Sequence, residues 1–550
     1  MMKIIKSTFF VLLLVAISVS CKASSQQSKS PDEMVDVELP RSTPSQEGVD
    51  PNAIGKFVDA LMAVPQTDIH HIMVVRHGKV IAEAHPSPFK KYDVHTLYSC
   101  SKTFTMLAIG MLVDDGKLSV NDKVINILPD KAPARKSAAL KAMTVKQLLT
   151  MTAGIKPSLE LRQESDDWAR TWLAQPVTKP GKFQYDSMCT FMLAAIVQRI
   201  TGKTLLEFLN ERFFHPLGIY EADWEESPDG INVGGWGLRL TAESMAKAGL
   251  CIMNKGKWNG KQLVSARWID EASRKHTNYS NPGKKATDTN QGYCYQMWRC
   301  LLPGAFRADG AYGQFIVMSP ERDLVVVITG VSHNTGKELA CIWDKLIPGV
   351  KNATLPANET TQKALEKKLA NVALPLLKPD DNVNIPTALM LTLEKNARNY
   401  KEILLNPQRE ESEGDKKKYE MRITCEDGTM LVYPLGCDGW LYQCSSQMPP
   451  YNNAVEPVNL KKIDGLEGDY TTAGNFAWTS RKTLVLKLYW TNWIVPNTFI
   501  INMNEDSTAT ITNDEGYPGF KPEVIKATYQ FSKIPLHPRN LDPDEKPLSY

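Results

Sequence analysis

The chain has 550 residues, room for two to four domains at roughly 150 residues each. Its 43% hydrophobic and 23% charged residues are ordinary for a globular protein, which excludes a wholly disordered or collagen-like chain. Lysine and arginine total 64 against 61 aspartates and glutamates, a net +3 that argues against nucleic acid as a partner, and 10 cysteines are too sparse for a disulfide scaffold.

Residues 1–23 read as an export signal. Lys3 and Lys6 precede an apolar run from Phe9 to Ile17, nine residues long and too short to span a bilayer. Ser18-Val19-Ser20-Cys21 is similar to a bacterial lipoprotein box, with Ser18 where leucine is usual. Two outcomes stay open: lipidation of Cys21, which tethers the mature chain to a membrane, or cleavage after Ala23 and release. Both place the protein in the periplasm or cell envelope, with membrane contact only through the lipid. Residues 24–44 read as a flexible stalk. Outside the cytoplasm disulfides are permitted, so Cys294 with Cys300 and Cys437 with Cys444 are either short-loop bridges or free thiols.

From Ile69 to Ala84 the pattern predicts a hairpin turning at His77-Gly78-Lys79. Thr103 to Val113 predicts an amphipathic helix with Phe104, Leu107, Ala108, Met111 and Leu112 on one face. Met188 to Ile200 predicts another, and Ser265 should cap a third over Ala266–Ala272. Gln314 to Thr329 reads as a second hairpin around Pro320–Asp323, and Glu338 to Leu346 as a closing helix. Strands at both ends with helices between them imply one α/β unit over 45–350, whose sheet joins the two termini of the unit. Residues 351–378 read as a linker by composition, with a short helical piece at Ala364–Ala373. From 379 to 550 the signals are mostly β, including a turn at Asp427-Gly428. The charge run Arg409–Lys418 reads as a solvated loop.

Ser followed three residues later by Lys at a helix start puts an amine within reach of a hydroxyl. Desolvation lowers the amine's proton affinity, so it can take the serine proton, and the helix N-terminus favours a developing oxyanion. The chain has three such pairs: Ser87/Lys90, Ser99/Lys102 and Ser244/Lys247. Ser87 precedes no apolar helix. Ser244 follows a cap at Thr241 and reads otherwise as an exposed helical serine. Ser99 stands directly before the long helical run. A tyrosine is needed to relay the proton, and Tyr185, Tyr279 and Tyr451 are all candidates on pattern. The nine histidines are scattered, and neither His-Glu-x-x-His nor Cys-x-x-Cys occurs, so no metal and no cofactor is implied.

Taken in order, the motifs from about 45 to 350 resemble the serine β-lactamase and penicillin-recognising superfamily, on the class C β-lactamase, esterase, DD-peptidase and 6-aminohexanoate-oligomer hydrolase side. They are Tyr98-Ser99-Cys100-Ser101-Lys102-Thr103-Phe104, Leu148-Leu149-Thr150-Met151-Thr152-Ala153-Gly154, Tyr185-Asp186-Ser187, Pro216-Leu217-Gly218 and Gly234-Gly235-Trp236-Gly237-Leu238. The resemblance implies the β-lactamase/DD-peptidase-like fold, an antiparallel sheet plus a helical part, followed here by a β-rich extension. It selects Ser99 as nucleophile, with Lys102 and Tyr185 sharing the proton work. It implies an oxyanion hole from the Ser99 and Ala311 N–H groups, and substrate contacts from Ser187, Asp309, Gly310 and Trp236.

Two departures redirect the substrate. Ala308 stands where the family's third motif carries a cation, and strand alternation turns Arg307 to the other face. Ala308→Lys would therefore be expected to restore a charge beside the site, while Asp309 could equally be a surface residue. Ser187 replaces the family's asparagine. The expected function is an exported serine hydrolase acting through a Ser99 acyl-enzyme on a small ester or amide, not a typical β-lactam. Acyl transfer to an alcohol, β-lactamase-type activity and a silent binding protein remain as alternatives.

Overall fold

The computed structural model describes residues 38–277, 286–380, 388–408, 418–445 and 470–532, with Val383 and Pro449. The leader with Cys21, residues 24–37 of the stalk reading, Tyr279, Tyr451 and residues 409–417 of the charge run lie outside the described residues. Residues 38–44 of that reading are no flexible stalk: Leu39 is buried, and Arg41 bridges to Val80 and pairs with Glu83 and Glu243.

The first hairpin pairs Thr67–Arg76 with Lys79–Ala84. His77 and Gly78 make its turn, both at positive φ (50° and 73°), as a tight turn between twisted strands requires. The second pairs Gln314–Ser319 with Leu324–Ser332. Thr67–Arg76 runs antiparallel to Leu324–Ser332, from Thr67 opposite Ser332 to Arg76 opposite Leu324. The two ends of the unit thus meet at the centre of a six-stranded sheet completed by Phe306–Gly310 and Trp298–Arg299.

Alternation along these strands serves two cores. Ile72, Val74, Val326 and Ile328 face Phe57, Val58 and Leu61 of the N-terminal helix Pro51–Met62. Met73, Val75, Val325 and Val327 face the helical part. The helix Ser101–Asp114 lies in the middle of that part, buried from Ser101 to Leu112 on every side. The one-faced reading of it falls short, because a helix enclosed all round needs no polar face. A side chain at Gly110 would collide with the Trp268 indole, which explains the glycine. Trp268 belongs to the helix Ala266–Ser273, capped by Ser265, whose hydroxyl accepts from the Trp268 N–H at 3.1 Å.

The linker expectation needs correction. A helix begins at Glu359, not near 364, because Asn358 caps it by accepting from Thr361 N at 3.1 Å. Leu365 joins the core beneath Pro51–Met62, and Lys368 pairs with Asp59. The C-terminal domain is a barrel. Ala388–Leu393, its first strand, pairs with Glu523–Ser532, its last. A parallel bridge from Gly436 to Asn475 closes the ring. Leu391, Ile403, Met421, Leu486, Ile501 and Ile511 fill it.

The nine described cysteines are all free, which settles Cys294, Cys300, Cys437 and Cys444 as thiols. Four of the nine histidines come together in space. His70, His71, His85 and His95 gather at the end of the sheet, with His70 Nδ1 2.8 Å from His95 Nε2. Burial keeps His70, His71 and His95 neutral. Among the described residues no cluster is arranged to hold a metal ion, and no helix is long and apolar enough to cross a membrane.

Candidate active site

The turn carrying Ser99 is a single 3-10 turn, Tyr98–Cys100, that feeds the buried helix. Tyr98 sits at φ 45°, which swings the half-buried Ser99 out ahead of the helix axis. Ser101 fixes this elbow. Its hydroxyl donates to Tyr98 O at 2.6 Å and accepts from Leu238 N at 3.2 Å. Leu97 N donates to Leu238 O at 2.9 Å, so the strand Leu238–Leu240 braces both sides of the turn.

Lys102 is 1% exposed and reaches back one turn. Its Nζ lies 2.8 Å from Ser99 Oγ and 3.0 Å from Ser187 Oγ, and donates to the Gly235 carbonyl at 2.6 Å. Burial pushes its pKa down to about 7, against the opposing charge of Asp186. Near neutral pH a large share of this amine is therefore free to accept a proton. Gly235 is required at its position, since a Cβ there would sit 2.8 Å from Ser187 O.

Tyr185 is hydrogen-bonded to Ser99, and Lys102 Nζ stands 5.0 Å from its ring centre. Burial pushes the phenol well above its usual range, so it stays protonated and can donate. Trp298 stacks on the ring at 5.6 Å and Tyr293 meets its edge at 6.1 Å. The second motif positions this tyrosine. Gln184 N donates to Met151 O at 2.8 Å and Gly181 N to Thr152 O at 2.9 Å. A Cβ on Gly154 would meet Pro180 N at 2.4 Å, so the glycine lets the two loops touch.

The structure brings Ser187 to Lys102 as a hydrogen-bond partner. It also reveals Asp186, which sequence reasoning passed over. Asp186 is buried, caps the helix Ser187–Thr201 by accepting from Met188 N at 2.9 Å, and accepts from Trp172 Nε1 at 3.0 Å. The signal was present: an aspartate directly before an apolar helical run is a cap. Its charge holds the Lys102 pKa up. Asn preserves cap and Trp172 bond, so Asp186→Asn should shift the acid limb of the pH–rate profile to lower pH. A limb that stays in place would show that the Asp186 charge does not act on Lys102.

Gly310 ends the strand Phe306–Gly310 against the start of the Tyr98–Cys100 turn, where a Cβ would come within 2.3 Å of Leu97 O. Ala311 follows on an exposed turn, its carbonyl accepting from Gln314 Nε2 at 3.1 Å. Asp309 is half-buried. It pairs with the buried Arg307 at 2.7 Å, and its charge favours the protonated forms of Lys102 and Tyr185. Arg307 also donates to Asp288 O and Arg299 O, at 3.2 and 3.0 Å. Arg239 is bound to Asp223 and lies 5.2 Å over Tyr470. Ala308 is fully buried in the core that includes Cys100 and Phe104. The Ala308→Lys expectation is therefore overturned: the new amine would enter packed core, not the cleft, and an uncompensated buried charge costs roughly 3–5 kcal/mol.

Trp236 is 4% exposed, stacked on Trp168 at 6.3 Å beneath Arg162, with its indole N–H unpartnered. Ser244 is buried, contrary to its reading as an exposed helical serine. Its hydroxyl donates to Glu221 Oε1 at 2.6 Å, while Lys247 reaches away to Gly218 O at 3.2 Å.

Comparison with known proteins places these elements in a family. A 6-aminohexanoate-dimer hydrolase from Paenarthrobacter ureafaciens is 24% identical over 315 residues, covering 52% of this chain and 79% of that one. The protein flp of Staphylococcus aureus (strain MRSA252) is 27% identical over 366 residues, covering 58% and 68%. A penicillin-binding protein homologue from Caulobacter crescentus, solved by crystallography, superposes at a TM-score of 0.45 with 16% identity over 54% of this chain and 99% of that one. Residues 56–340 match the Beta-lactamase family, a little over half of the chain and all of the elements that carry Ser99, Lys102, Tyr185 and Gly310. The chain belongs to the Beta-lactamase family.

Proposed function

We propose that this protein is a serine hydrolase that cleaves a neutral ester or amide through an acyl-enzyme on Ser99. The observation that carries the reading is Lys102: a buried amine with a pKa near 7, 2.8 Å from the serine hydroxyl. Lys102 takes the Ser99 proton as Oγ attacks the carbonyl carbon. The N–H groups of Ser99 and Ala311 receive the oxyanion. Tyr185, protonated, hands a proton to the leaving group. Water then attacks the acyl carbon and gives a proton to the Tyr185 phenolate, the bond from that carbon to Ser99 Oγ breaks, and Lys102 returns its proton to the serine oxygen.

The substrate class follows from charge. Arg307 and Arg239, either of which could otherwise hold a substrate carboxylate, are each bound to an aspartate, and Ala308 is buried. A missing charge-assisted bond is worth roughly 1.5–3 kcal/mol, or about 10–100-fold in kcat/KM. p-Nitrophenyl butyrate should therefore be turned over with a kcat/KM at least about tenfold above that of a chromogenic β-lactam. An acid quench during turnover should show the chain heavier by one butyryl group on the Ser99 peptide. Efficient β-lactam cleavage would overturn the substrate reading, and an acyl group elsewhere would overturn the site. The leader and Cys21 support export with a lipid anchor, testable by incorporation of labelled palmitate into the wild type but not Cys21→Ala.

A further inference from the structure

The two residues that flank the oxyanion donors are both tyrosines with left-handed backbones. Tyr98 precedes Ser99 at φ 45° and Tyr312 follows Ala311 at φ 65°. For bulky side chains this conformation is unfavourable and persists only where surrounding contacts impose it. Part of that packing comes from the C-terminal barrel, beyond the hydrogen bonds of Ser101 and Ser332 within the catalytic unit. The two rings meet edge to face at 5.4 Å, and Tyr98 belongs to the barrel's hydrophobic core rather than to that of its own domain. Tyr312 meets the buried Tyr517 ring at 6.0 Å. Trp493 Nε1 donates to Tyr517 Oη at 3.1 Å, and the Trp493 ring meets Tyr470 at 6.5 Å. Tyr470 lies under Arg239, whose strand braces Leu97 and Ser101 on the other side of the elbow. A belt of rings thus leaves the catalytic domain beside one oxyanion donor, passes through the barrel and returns beside the other.

We infer that the barrel is part of the catalytic apparatus: through Tyr517 and Trp493 it clamps Tyr312 and Tyr98, and so fixes the spacing of the Ser99 and Ala311 N–H groups. Tyr517 is a positioning residue, acting through Tyr312. The inference rests on the proposed Ser99 chemistry.

The test uses the full chain and a fluorophosphonate probe, whose attack on serine builds negative charge where the oxyanion forms. Loss of a whole oxyanion donor costs ~10²–10³-fold, and a loosened pair should cost about tenfold. Tyr517→Leu is expected to lower the maximal rate of phosphonylation about tenfold while leaving probe affinity unchanged. Tyr517→Phe, which keeps the ring against Tyr312 but loses the bond from Trp493, should lose less rate than Tyr517→Leu. Ile423→Ala, in the barrel wall on a strand that contributes no ring to the belt, should lower Tm and leave the rate unchanged. A wild-type rate in Tyr517→Leu overturns the inference, as does an equal rate loss in Ile423→Ala. If the wild-type label maps away from Ser99, or no label forms, the Ser99 reading itself fails and the inference falls with it.

Discussion

Ser99→Ala is expected to lower turnover of p-nitrophenyl butyrate by on the order of 10⁴–10⁶-fold, the range seen when a hydrolase loses its nucleophile. The fold should survive. Ser99 is half-buried, and its removal leaves Lys102 with Ser187 and the Gly235 carbonyl as acceptors. The same change at Ser244 separates the two sites in the opposite sense. Its hydroxyl donates to a carboxylate in a buried setting, so Ser244→Ala should cost about 1–3 kcal/mol of stability while kcat stays at the wild-type value. Parallel measurement of kcat and Tm on both variants decides the assignment. If Ser244→Ala removes activity and Ser99→Ala does not, the site lies elsewhere.

The second large effect belongs to Lys102. Lys102→Met keeps the length and apolar stem of the side chain and deletes the amine. General-base removal typically costs ~10²–10⁴-fold, and the upper part of that range is expected because no other neutral base touches Ser99 Oγ among the described residues. The form of the pH profile matters more than the size of the loss. In the wild type the rate should rise with pH through about 7, because the amine must lose its proton before it can accept one from serine. Below that pH the protonated lysine is inactive. In Lys102→Met this limb should vanish and leave a low, flat rate. A limb that persists near pH 7 in the variant would assign the titration to another group.

Much of the fold was legible because its elements obey simple periods. The two hairpins, the Ser265 cap and the turn at Asp427-Gly428 all stand where alternation and turn residues put them. The linker was misread because the helix Glu359–Ala370 buries only Leu365, so its composition looks like a loop. The site was only partly legible. Ser99/Lys102 and Ser244/Lys247 share one spacing, and spacing cannot separate them. The difference lies in the backbone: Ser99 occupies a 3-10 turn ahead of its helix, whereas Ser244 sits within a helix whose cap and Glu221 claim its hydroxyl. The resemblance to a known family supplied what spacing could not. Asp186 was readable as a cap but not as a charge beside Lys102. Arg307 and Asp309 were readable as neighbours on one strand face, but the ring belt from Tyr98 to Tyr470 was not, since it depends on contacts that only folding creates.

The central claim is that Ser99 is a nucleophile activated by Lys102, and one measurement addresses it directly. The full chain is treated with a fluorophosphonate across pH 5 to 9, and the modified peptide is mapped by mass spectrometry. One modification is expected, on Ser99, at a rate that rises through about pH 7 and then levels. Modification of a different serine, or no modification at any pH, would contradict it.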